Sequence, residues 1–272
     1  MKNSKFKISV VMGIYNCAYT LEESIDSLLA QTITDWQLIM CDDDSVDETY
    51  HVAMKYALKD PDKFIVIRNG KNMGLNYTLN QCLKYASGEY IARMDGDDTC
   101  HPSRFEKELR FLEMHPHIAI VSTNMALFDE SGTWGLSKYK ECPEPKDLVV
   151  GTPFCHAAAM VRKEALDAVE GYSTDEKLLR IEDYHLWIKM YTMGYRGYNI
   201  QEPLYSMRDD HKAAQRKKYK YRINEARVKI FAVHNLKLRK INYLYCLRPL
   251  ILGVLPIRIY SLLHKIKRGM LK

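Results

Sequence analysis

The amino-acid sequence predicts an α/β fold in which a mostly parallel sheet is flanked by helices and followed by a basic helical extension. Short apolar, β-branched runs alternate four times with segments of helical periodicity before residue 116, which is typical of a parallel sheet covered on both faces. Charge then divides the chain: residues 212–272 hold 17 Lys/Arg and one acid, against 23 Lys/Arg and 33 acids in residues 1–211. We therefore expect two segments that meet different partners.

The composition limits the class of protein. With 272 residues, 47% of them hydrophobic, the chain can bury a large core, which excludes collagen, a coiled-coil rod and wholesale disorder. The seven cysteines form no Cys-x-x-Cys pair, and the polar N-terminus lacks the apolar core of a signal peptide. We therefore expect a cytoplasmic protein with reduced thiols, and neither a disulfide scaffold nor a zinc ribbon.

Apolar runs predict the strands, because strands buried on both faces lack polar alternation. In the first half, the predicted strands cover residues 7–14, 36–41, 64–67 and 90–94. The less regular second half adds predicted strands over residues 118–128 and within 157–161, and a helix over 181–194.

Helices are predicted between the first strands from apolar spacing and capping signals. Potential capping boxes place the first two helix starts near Thr20 and Ser45. The third helix covers about residues 75–86 and has Gly88 as its C-cap. The fourth runs over about residues 102–115.

Polar clusters follow the strands of the predicted parallel sheet. These clusters are residues 15–16, 42–44, 69–72 and 95–98. Ligands of open parallel sheets bind beyond the carboxyl ends of the strands, which lie at one edge. We therefore expect the clusters to converge on one binding site.

The sharpest motif is Asp95-x-Asp97-Asp98. Three carboxylates within four residues repel one another unless a cation or solvent compensates, and oxygen ligands just past a strand suit Mg²⁺ or Mn²⁺ holding a diphosphate. An EF-hand is the nearest rival, but Thr99 and Cys100 occupy the places of its third acid and its glycine. A solvated acidic turn with a helix-capping Asp stays open.

Two further acidic segments have both a structural and a functional interpretation. Residues 42–45 precede a predicted helix, so they are N-caps or supply a carboxylate that accepts from the imide N–H of a uracil-type base. Glu182 and Asp183 open another helix, where the macrodipole favours acids. Alternatively, they include a general base within hydrogen-bond reach of the hydroxyl that it deprotonates.

The sequence lacks the motifs of several other functional classes. Cys155 and His156 are adjacent and would point apart on a strand, and no Gly-x-Ser-x-Gly elbow occurs, which argues against a cysteine or serine hydrolase. Residues 13–16 read Gly-Ile-Tyr-Asn rather than the start of Gly-x-Gly-x-x-Gly, and no P-loop motif occurs. Dinucleotide-binding Rossmann and P-loop interpretations therefore fail.

The basic extension predicts a surface-binding segment. Residues 212–240 mix bases with aromatic and aliphatic residues, as in an amphipathic basic helix, and residues 243–263 are rich in Leu, Ile and Tyr. The longest uncharged run there is nine residues, whereas spanning a bilayer takes about 20. We predict an interfacial segment on an anionic membrane surface. Packing on the first segment and nucleic-acid binding stay open, although no nucleic-acid module is recognisable and no nucleic acid is expected.

The ordered motifs resemble those of bacterial family 2 glycosyltransferases. The resemblance lies in ISVVMGIYN (8–16), DDDSVD (42–47), NMGL (72–75), GEYIARMDGDD (88–98) and EDYHLW (182–187). Each piece is common, but the ordered set is highly specific and covers about residues 6–211. The resemblance implies a GT-A fold, which is Rossmann-like, and inverting transfer of a sugar from a nucleotide-diphosphate donor, usually a UDP-sugar, with Mn²⁺ or Mg²⁺.

The resemblance also implies roles for individual residues. Asp97 would ligate the metal, Asp183 would be the catalytic base, and Glu182 would help to place the acceptor. Tyr15 and Asp43 would contact the base and Asp95 the ribose. The full set implied to bind the nucleotide sugar is Tyr15, Asp43, Asn72, Arg93 and Asp95.

Two departures from the family pattern lie near the implied nucleotide. The usual Pro-Thr-Tyr-Asn is Gly-Ile-Tyr-Asn at residues 13–16, and the usual Asp-Asp-Gly-Ser is Asp-Asp-Asp-Ser at residues 42–45. A hydroxyl and the backbone freedom of a glycine are therefore missing. Residues 205–211 lie where the enzymes of this family have a mobile loop that closes on the diphosphate, so the resemblance implies that Arg208 and His211 act there.

Together these features predict an inverting, metal-dependent glycosyltransferase that transfers a sugar to a saccharide or lipid-linked saccharide in cell-surface polysaccharide synthesis. Residues 1–211 would form the catalytic domain, and residues 212–272 would hold it on the inner face of the cell membrane. An acidic segment that binds a diphosphate needs a divalent ion to offset repulsion, and inversion needs one carboxylate base without a carboxylate nucleophile. Two alternatives stay open, a sugar nucleotidyltransferase and a non-enzymatic membrane-surface adaptor.

Overall fold

The computed structural model of the chain describes residues 6–209 and 219–254. The strands in this part are Ile8–Ile14 (β1), Trp36–Asp42 (β2), Phe64–Arg68 (β3), Tyr90–Arg93 (β4), Thr99–Cys100 (β5), Ile118–Asp129 (β6), Gly132–Ser137 (β7), Met160–Arg162 (β8) and Arg196–Arg208 (β9). The α-helices are Ala18–Leu29 (α1), Thr49–Lys59 (α2), Leu75–Leu83 (α3), Arg104–Met114 (α4), Asp147–Val150 (α5), Lys163–Ala168 (α6), Glu182–Thr192 (α7), Tyr219–Asn235 (α8) and Leu244–Val254 (α9). Short 3₁₀ helices cover Glu176–Leu178 and Lys240–Tyr243.

All of these strands belong to one sheet with the order β3-β2-β1-β4-β8-β6-β9-β5, and β7 pairs with β6. Strands β1 to β4 are parallel to one another, as the strand–helix alternation predicts. Helices cover both faces: Val10 of β1 packs into a core with α1, α2 and α4, whereas Val11 packs into a core with α3, α6, α7 and α8. Strands β1 and β2 are buried on both faces, which explains their mostly apolar sequences.

The other half of the sheet is mixed. β8 runs antiparallel to β4 and β6, whereas β6 and β9 are parallel. The sequence pattern did not predict β9, because its Gly, Pro and charged residues interrupt a strand-like run. The end of β9 also pairs with β5, where Tyr205 lies opposite Cys100. This pairing places the end of β9 beside the segment that links β4 to β5.

The ends of the first helices differ from the predicted capping boxes. Neither Thr20 nor Ser45 caps a helix; the Asp47 carboxylate instead accepts from the first N–H of α1 at 3.1 Å and from the first N–H of α2 at 3.0 Å. The Ser45 Oγ instead accepts from the Asn16 N–H at 3.0 Å, which ties together the turns after β1 and β2. Gly88 does not cap α3; a Cβ there would lie 2.6 Å from the Ser9 nitrogen, so glycine permits close approach to β1.

α8 packs on the second face of the sheet. Val228 and Ala232 are fully buried in the core on that face. The Nζ of buried Lys229 donates to the carbonyl oxygens of Val149 and Val150, both at 2.8 Å. This helix therefore packs on the first segment, one of the interpretations that the sequence left open.

α9 follows α8 and packs against it. The predicted division between residues 1–211 and 212–272 stays a prediction, since residues 210–218 lie outside the described residues. Across the described ranges, none of the helices combines the length and the apolar character needed to cross a bilayer.

Candidate active site

Three aspartates lie together where β4 ends. Asp95, Asp97 and Asp98 each offer a carboxylate oxygen, and these oxygens lie within 4.8 Å of one another. Asp97 is exposed, Asp95 is half-buried and Asp98 is buried. Negative charges at this spacing repel one another, so the cluster requires positive charge or hydrogen-bond donors nearby.

Asp98 points inward and binds strand β9. Its Oδ2 accepts from the Tyr205 hydroxyl and its Oδ1 accepts from the Arg208 N–H, both at 2.8 Å. Burial raises the pKa of Asp98 to about 8, and the charges of Asp95 and Asp97 contribute to the rise. Asp98 therefore anchors the acidic segment, which leaves Asp95 and Asp97 as the more accessible carboxylates.

Tyr205 and Arg208 tie β9 to the same segment. The Tyr205 hydroxyl accepts from the Asp95 N–H at 3.2 Å, and the Arg208 Nε donates to the Asp97 carbonyl oxygen at 3.1 Å. The Arg208 guanidinium also forms an ion pair with Glu23 of α1. Sequence reasoning missed Tyr205 as a site residue, because the strand that carries it was not predicted.

The predicted mobile loop over residues 205–211 needs a correction. Residues 205–208 form the end of β9 rather than a loop, because they pair with β5 and β6. Arg208 nevertheless lies at the acidic segment. His211 lies outside the described residues, and its assignment stays a prediction.

Arg93 ends β4 and is buried beside the acidic segment. Its guanidinium forms an ion pair with the Asp95 carboxylate. Burial lowers the pKa of Arg93, but the charge of Asp95 and the hydrogen bond to it outweigh burial and raise the pKa overall. The charged guanidinium also offsets part of the rise in pKa at both Asp97 and Asp183.

Glu182 and Asp183 begin α7 close to Arg93. Burial raises the pKa of Asp183 to about 6, and the charge of Glu182 adds to this rise. A carboxylate with such a pKa is ionised at neutral pH and can still accept a proton. Among the described residues, the buried Oε2 of Glu182 has no hydrogen-bond partner. The guanidinium that pairs with Asp95 also lowers the pKa of Asp183 through its charge, so it stabilises the ionised form of both carboxylates.

A pair formed by half-buried His156 and buried Tyr172 packs against α7. The His156 Nε2 and the Tyr172 hydroxyl are 2.7 Å apart, and the His156 ring packs edge-on against Trp187 of α7. Burial, followed by the charge of Arg93, lowers the pKa of His156, so its imidazole is neutral at pH 7. The Asn80 Nδ2 of α3 donates to the Tyr172 carbonyl oxygen at 2.7 Å. No motif surrounds these residues, and sequence reasoning did not assign them to the site.

A cavity of about 370 Å³ opens between the ends of β1 and β2 and the start of α7. Tyr15, Asp43 and Asn72, three of the predicted nucleotide-sugar residues, line it together with Glu182. The other lining residues are Gly13, Ile14, Gly74, Leu75, Thr78, Leu179, Arg180 and Tyr221. The cavity is large enough for a small polar ligand. It extends from Asp43, after β2, to Glu182, at the start of α7.

Asp43 shapes one wall of the cavity. Its Oδ1 accepts from the Asn69 Nδ2 at 2.7 Å and from the Met73 N–H at 2.8 Å, and its Oδ2 accepts from the Gly74 N–H at 2.8 Å. A carboxylate has about four acceptor sites, so Asp43 can accept one further donor. Asp43 thus holds the segment that carries Asn72 and also faces the cavity.

α8 supplies part of the opposite wall through Tyr221. Arg180, on the turn before α7, also lines the cavity. Its backbone φ is +70°, a left-handed conformation that is uncommon for residues other than glycine. The Asn224 Nδ2 of α8 donates to the Leu179 carbonyl oxygen at 3.2 Å, so α8 also holds this turn. Sequence reasoning placed α8 in a separate segment and therefore did not assign Tyr221 to the site.

The family model described as "Glycosyl transferase family 2" matches residues 9–169. The chain belongs to glycosyltransferase family 2. One relative, "Putative glycosyltransferase EpsE" of Bacillus subtilis (strain 168), is 43% identical over 263 residues, which cover 97% of this chain and 95% of the relative. Another, "UDP-Glc:alpha-D-GlcNAc-diphosphoundecaprenol beta-1,3-glucosyltransferase WfgD" of Escherichia coli, is 25% identical over 185 residues, which cover 68% of this chain and 70% of the relative.

Solved structures of other proteins have the same fold. S. aureus TarS 1-349 in complex with UDP-GlcNAc has a TM-score of 0.71 at 19% identity, covering 92% of this chain and 72% of that chain. The mannosyltransferase PcManGT of Pyrobaculum calidifontis, in complex with GDP-Man and Mn²⁺, has a TM-score of 0.61 at 20% identity. The match covers 98% of this chain and 81% of that chain. The predicted family, the GT-A fold and the enzyme class, a glycosyltransferase, are therefore confirmed.

The structure shows the surroundings of both departures of this glycosyltransferase from the family motif. A Cβ at Gly13 would lie 2.9 Å from Leu75 Cδ1 and 3.2 Å from Thr78 Cγ2, so a larger residue there would require these side chains of α3 to shift. Asp44 has a φ of +64°, so it adopts the left-handed conformation in which the family motif has glycine. Its carboxylate lies 3.6 Å from the Arg68 guanidinium. The turn is therefore compatible with Asp44 despite the missing glycine.

The acidic segment suits a divalent cation. Its accessible donors are carboxylate oxygens of Asp95 and Asp97, which are the hard ligands that Mg²⁺ and Mn²⁺ prefer. Asp98 offers less, because both of its oxygens accept hydrogen bonds from β9. The residues present thus fit the metal that the family resemblance implies, with Asp97 as the most exposed ligand.

Proposed function

We propose that this family 2 glycosyltransferase transfers a sugar from a UDP-sugar, with inversion and with Mn²⁺ or Mg²⁺ bound, to a saccharide or lipid-linked saccharide acceptor in cell-surface polysaccharide synthesis. The printed names of WfgD, which describe a UDP-Glc donor and a diphosphoundecaprenol-linked acceptor, and of TarS with UDP-GlcNAc support this choice of donor and acceptor class. The cluster of Asp95, Asp97 and Asp98 at the end of β4, with Arg93 paired to Asp95, supports it most directly.

The donor would bind along the edge formed by the first strands. Tyr15, Asp43 and Asn72 line the cavity, where one free acceptor site of Asp43 can receive a base N–H. Asp95 would hold the ribose. Arg93 would contribute by fixing the Asp95 carboxylate through its buried ion pair.

The diphosphate would lie at the exposed side of the acidic segment. Asp97 would hold the cation, which supplies charge that offsets the diphosphate and stabilises the leaving nucleoside diphosphate. Arg208 is bound to the Asp97 carbonyl oxygen and lies beside the segment, so it can add a further positive charge there. His211 would act with Arg208.

Asp183 would be the catalytic base. It takes the proton from the acceptor hydroxyl as the hydroxyl oxygen attacks the anomeric carbon on the face opposite to the leaving group. Its pKa of about 6 makes it mostly ionised, and thus able to accept this proton, at neutral pH. The buried Oε2 of Glu182, which has no hydrogen-bond partner in the part of the chain that the structure describes, would accept a hydrogen bond from the acceptor sugar.

The basic extension would hold the enzyme at the inner face of the cell membrane. Residues 212–272 carry 17 Lys/Arg and one acid, which complements an anionic leaflet. Within this extension α8 packs on the catalytic domain, so residues 1–211 and 212–272 would function as one unit at the membrane.

Two substitutions separate donor binding from transfer. Asp183→Asn removes the base and keeps the shape of the side chain, so UDP-sugar binding with Mn²⁺ should persist while transfer falls by about 10²–10⁴-fold. Asp97→Ala removes the metal ligand, so Mn²⁺-dependent stabilisation by a UDP-sugar should weaken strongly. Thermal shift with a panel of nucleotide sugars measures binding, and release of UDP in the presence of acceptor measures transfer.

The matched control is Asp167→Asn, the same change at an exposed helical position of α6, where it should affect neither measurement. Full transfer by both Asp183→Asn and Asp97→Ala would contradict the proposed roles. Preferential stabilisation by a guanosine-linked sugar would contradict the choice of UDP.

A further inference from the structure

α9 is apolar on nearly all sides. Its sequence, LYCLRPLILGV, contains one charged residue, Arg248, and no acid. A helix of this kind is normally buried all round in a protein or in lipid. Here the described structure buries only one side of it.

The buried side of α9 faces the rest of the protein. Cys246 and Pro249 are buried, and a Cβ at Gly253 would lie 2.8 Å from the ring of Tyr219 on α8. Positions three, four and seven residues apart share one face of a helix. α9 is therefore fixed on α8 through this face, and its orientation is set.

The opposite side carries four large aliphatic side chains that the described residues leave exposed. We call them the outer stripe: Leu244, Leu247, Ile251 and Val254, with 61%, 51%, 59% and 70% of their surface exposed. Their spacing places them along one line of the helix. Arg248 lies next to this line, and Ile241, 65% exposed, extends it into the preceding 3₁₀ helix.

α9 is too short to cross a bilayer. Its 11 residues span about 16 Å at about 1.5 Å per residue, against a hydrocarbon core of about 30 Å. A short helix with an exposed apolar stripe and basic neighbours can instead lie in the plane of the headgroup region, with the stripe in the acyl boundary.

We propose that the outer stripe is the surface through which this protein inserts into an anionic lipid leaflet. Charge selects this occupant: after Glu225 the sequence has no acid, while residues 226–272 contain 11 Lys/Arg. Arg248 lies next to the stripe on α9, and Arg239 and Lys240 precede it in the sequence. Such a combination of apolar and cationic side chains matches anionic headgroups over acyl chains.

A second copy of the chain fits this surface poorly. In a symmetric dimer the same patch meets itself, so two segments rich in bases and free of acids would face each other and repel. Lipid phosphates instead neutralise them.

This inference refines the proposed membrane association and also relates it to catalysis. α9 packs on α8, and α8 lines the donor cavity through Tyr221. Insertion of the outer stripe would thus hold this helix pair at the lipid headgroups, where a lipid-linked acceptor presents its sugar.

The test is sedimentation of the full-length protein with vesicles of phosphatidylcholine, with or without phosphatidylglycerol. We expect binding to the anionic vesicles only, weakened by salt. The double variant Leu247→Glu/Ile251→Glu should bind them at least about ten-fold more weakly, because it places two acids in the stripe. The control Leu58→Glu/Leu136→Glu makes the same charge change at two other exposed leucines (79% and 57% exposed) and should bind nearly as the unaltered protein does.

A second measurement does not depend on disrupting the surface. Leu247→Trp should show fluorescence at shorter wavelength when anionic vesicles are added, relative to the unaltered protein with its three tryptophans. Retained vesicle binding by the stripe variant, equal loss in the control, or an unchanged Leu247→Trp spectrum would overturn the inference. So would a dimer in solution that only the stripe variant dissociates.

Failure of the stripe and failure of the catalytic proposal are distinguishable. The stripe variant, its control and Leu247→Trp should all keep the Mn²⁺-dependent thermal shift with a UDP-sugar and the transfer of sugar to a soluble acceptor. If the unaltered protein transfers sugar but does not bind anionic vesicles, the membrane role of the stripe is refuted and the catalytic proposal is not. If it binds the vesicles through the stripe but binds no donor, the catalytic proposal alone is refuted.

Discussion

Asp183 shows how a common helix-start residue is suited to a second task. Acids in the first turn of a helix are stabilised by the macrodipole, and on the sequence alone this is sufficient reason for Glu182-Asp183. Burial and the neighbouring Glu182 then raise the Asp183 pKa to about 6, while Arg93 keeps it from rising further. The environment, which the sequence does not display, makes this aspartate a base that works near neutral pH.

The pH dependence of transfer follows from this pKa. A base is active when deprotonated, so kcat/KM should rise about tenfold per pH unit below about pH 6 and level off above it. The measurement is initial rate against pH at saturating Mn²⁺, with donor binding followed in parallel by thermal shift. A rate that stays constant from about pH 5 to about pH 8 would contradict the assignment of Asp183.

Substitutions of Asp44 test whether the backbone of the turn after β2 is strained. A left-handed conformation costs an ordinary side chain about 1–2 kcal/mol, but Asp tolerates it better and the exposed pair with Arg68 adds little. Glycine would relieve the strain and raise the entropy of the unfolded chain. We expect Asp44→Gly to change the unfolding free energy by less than about 0.5 kcal/mol and Asp44→Val to lower it by about 1–2 kcal/mol in denaturant titrations. Equal effects of the two changes would contradict a left-handed turn.

At the scale of elements, the parallel half of the sheet was predictable and β9 was not. β1 and β2 are buried on both faces, so their sequences alone mark them as strands. β9 depends on long pairing with β6, a non-local interaction that no local pattern reveals. The hydrogen bond of Tyr205 with Asp98, which this strand makes possible, was therefore not predicted from the sequence.

The Tyr205 hydroxyl should support the metal site through Asp98. Tyr205→Phe removes a donor to the buried Asp98 carboxylate and an acceptor for the Asp95 N–H. An unsatisfied buried group costs about 1–3 kcal/mol, so the melting temperature should fall and Mn²⁺-dependent donor binding should weaken. Tyr198→Phe, the same change on the same strand at a partly exposed bond to Glu141, is the matched control. Unchanged donor binding in Tyr205→Phe would show that β9 does not position the acidic segment.

α8 should contribute to donor affinity although it belongs to the basic extension. Tyr221 lines the cavity, and an aromatic contact is worth about 0.5–1.5 kcal/mol, so Tyr221→Ala should weaken donor binding by about 2–10-fold. Calorimetry with a UDP-sugar and Mn²⁺ measures this. Tyr243→Ala, an exposed tyrosine of the 3₁₀ helix before α9, should leave the affinity unchanged. Equal affinities of the two variants would remove α8 from the donor site.

Over the whole molecule, charge and packing divide the chain differently. The change from acidic to basic composition suggests a boundary near residue 211, yet Val228 and Ala232 of α8 lie in the same core as α7. The charged residues that dominate the composition of this segment mostly face solvent in the part that the structure describes. The packing of α8 depends on a few buried apolar residues, which a count of charged residues does not detect. The order of the motifs predicts that the acids after β2 and β4 lie at one edge of the sheet, because the carboxyl ends of parallel strands meet there. The His156–Tyr172 pair and Arg180 enter the site through folding of the irregular second half.

The central claim is that the acids after β4 and those of α7 act on one metal-bound nucleotide sugar. A crystal structure of the Asp183→Asn variant with a UDP-sugar and Mn²⁺, with the ion located by its anomalous scattering, tests this most directly. We predict Mn²⁺ at Asp97, the base in the cavity beside Tyr15 and Asp43, and the anomeric carbon facing residue 183. An ion bound away from Asp97, or a sugar turned away from residue 183, would contradict it.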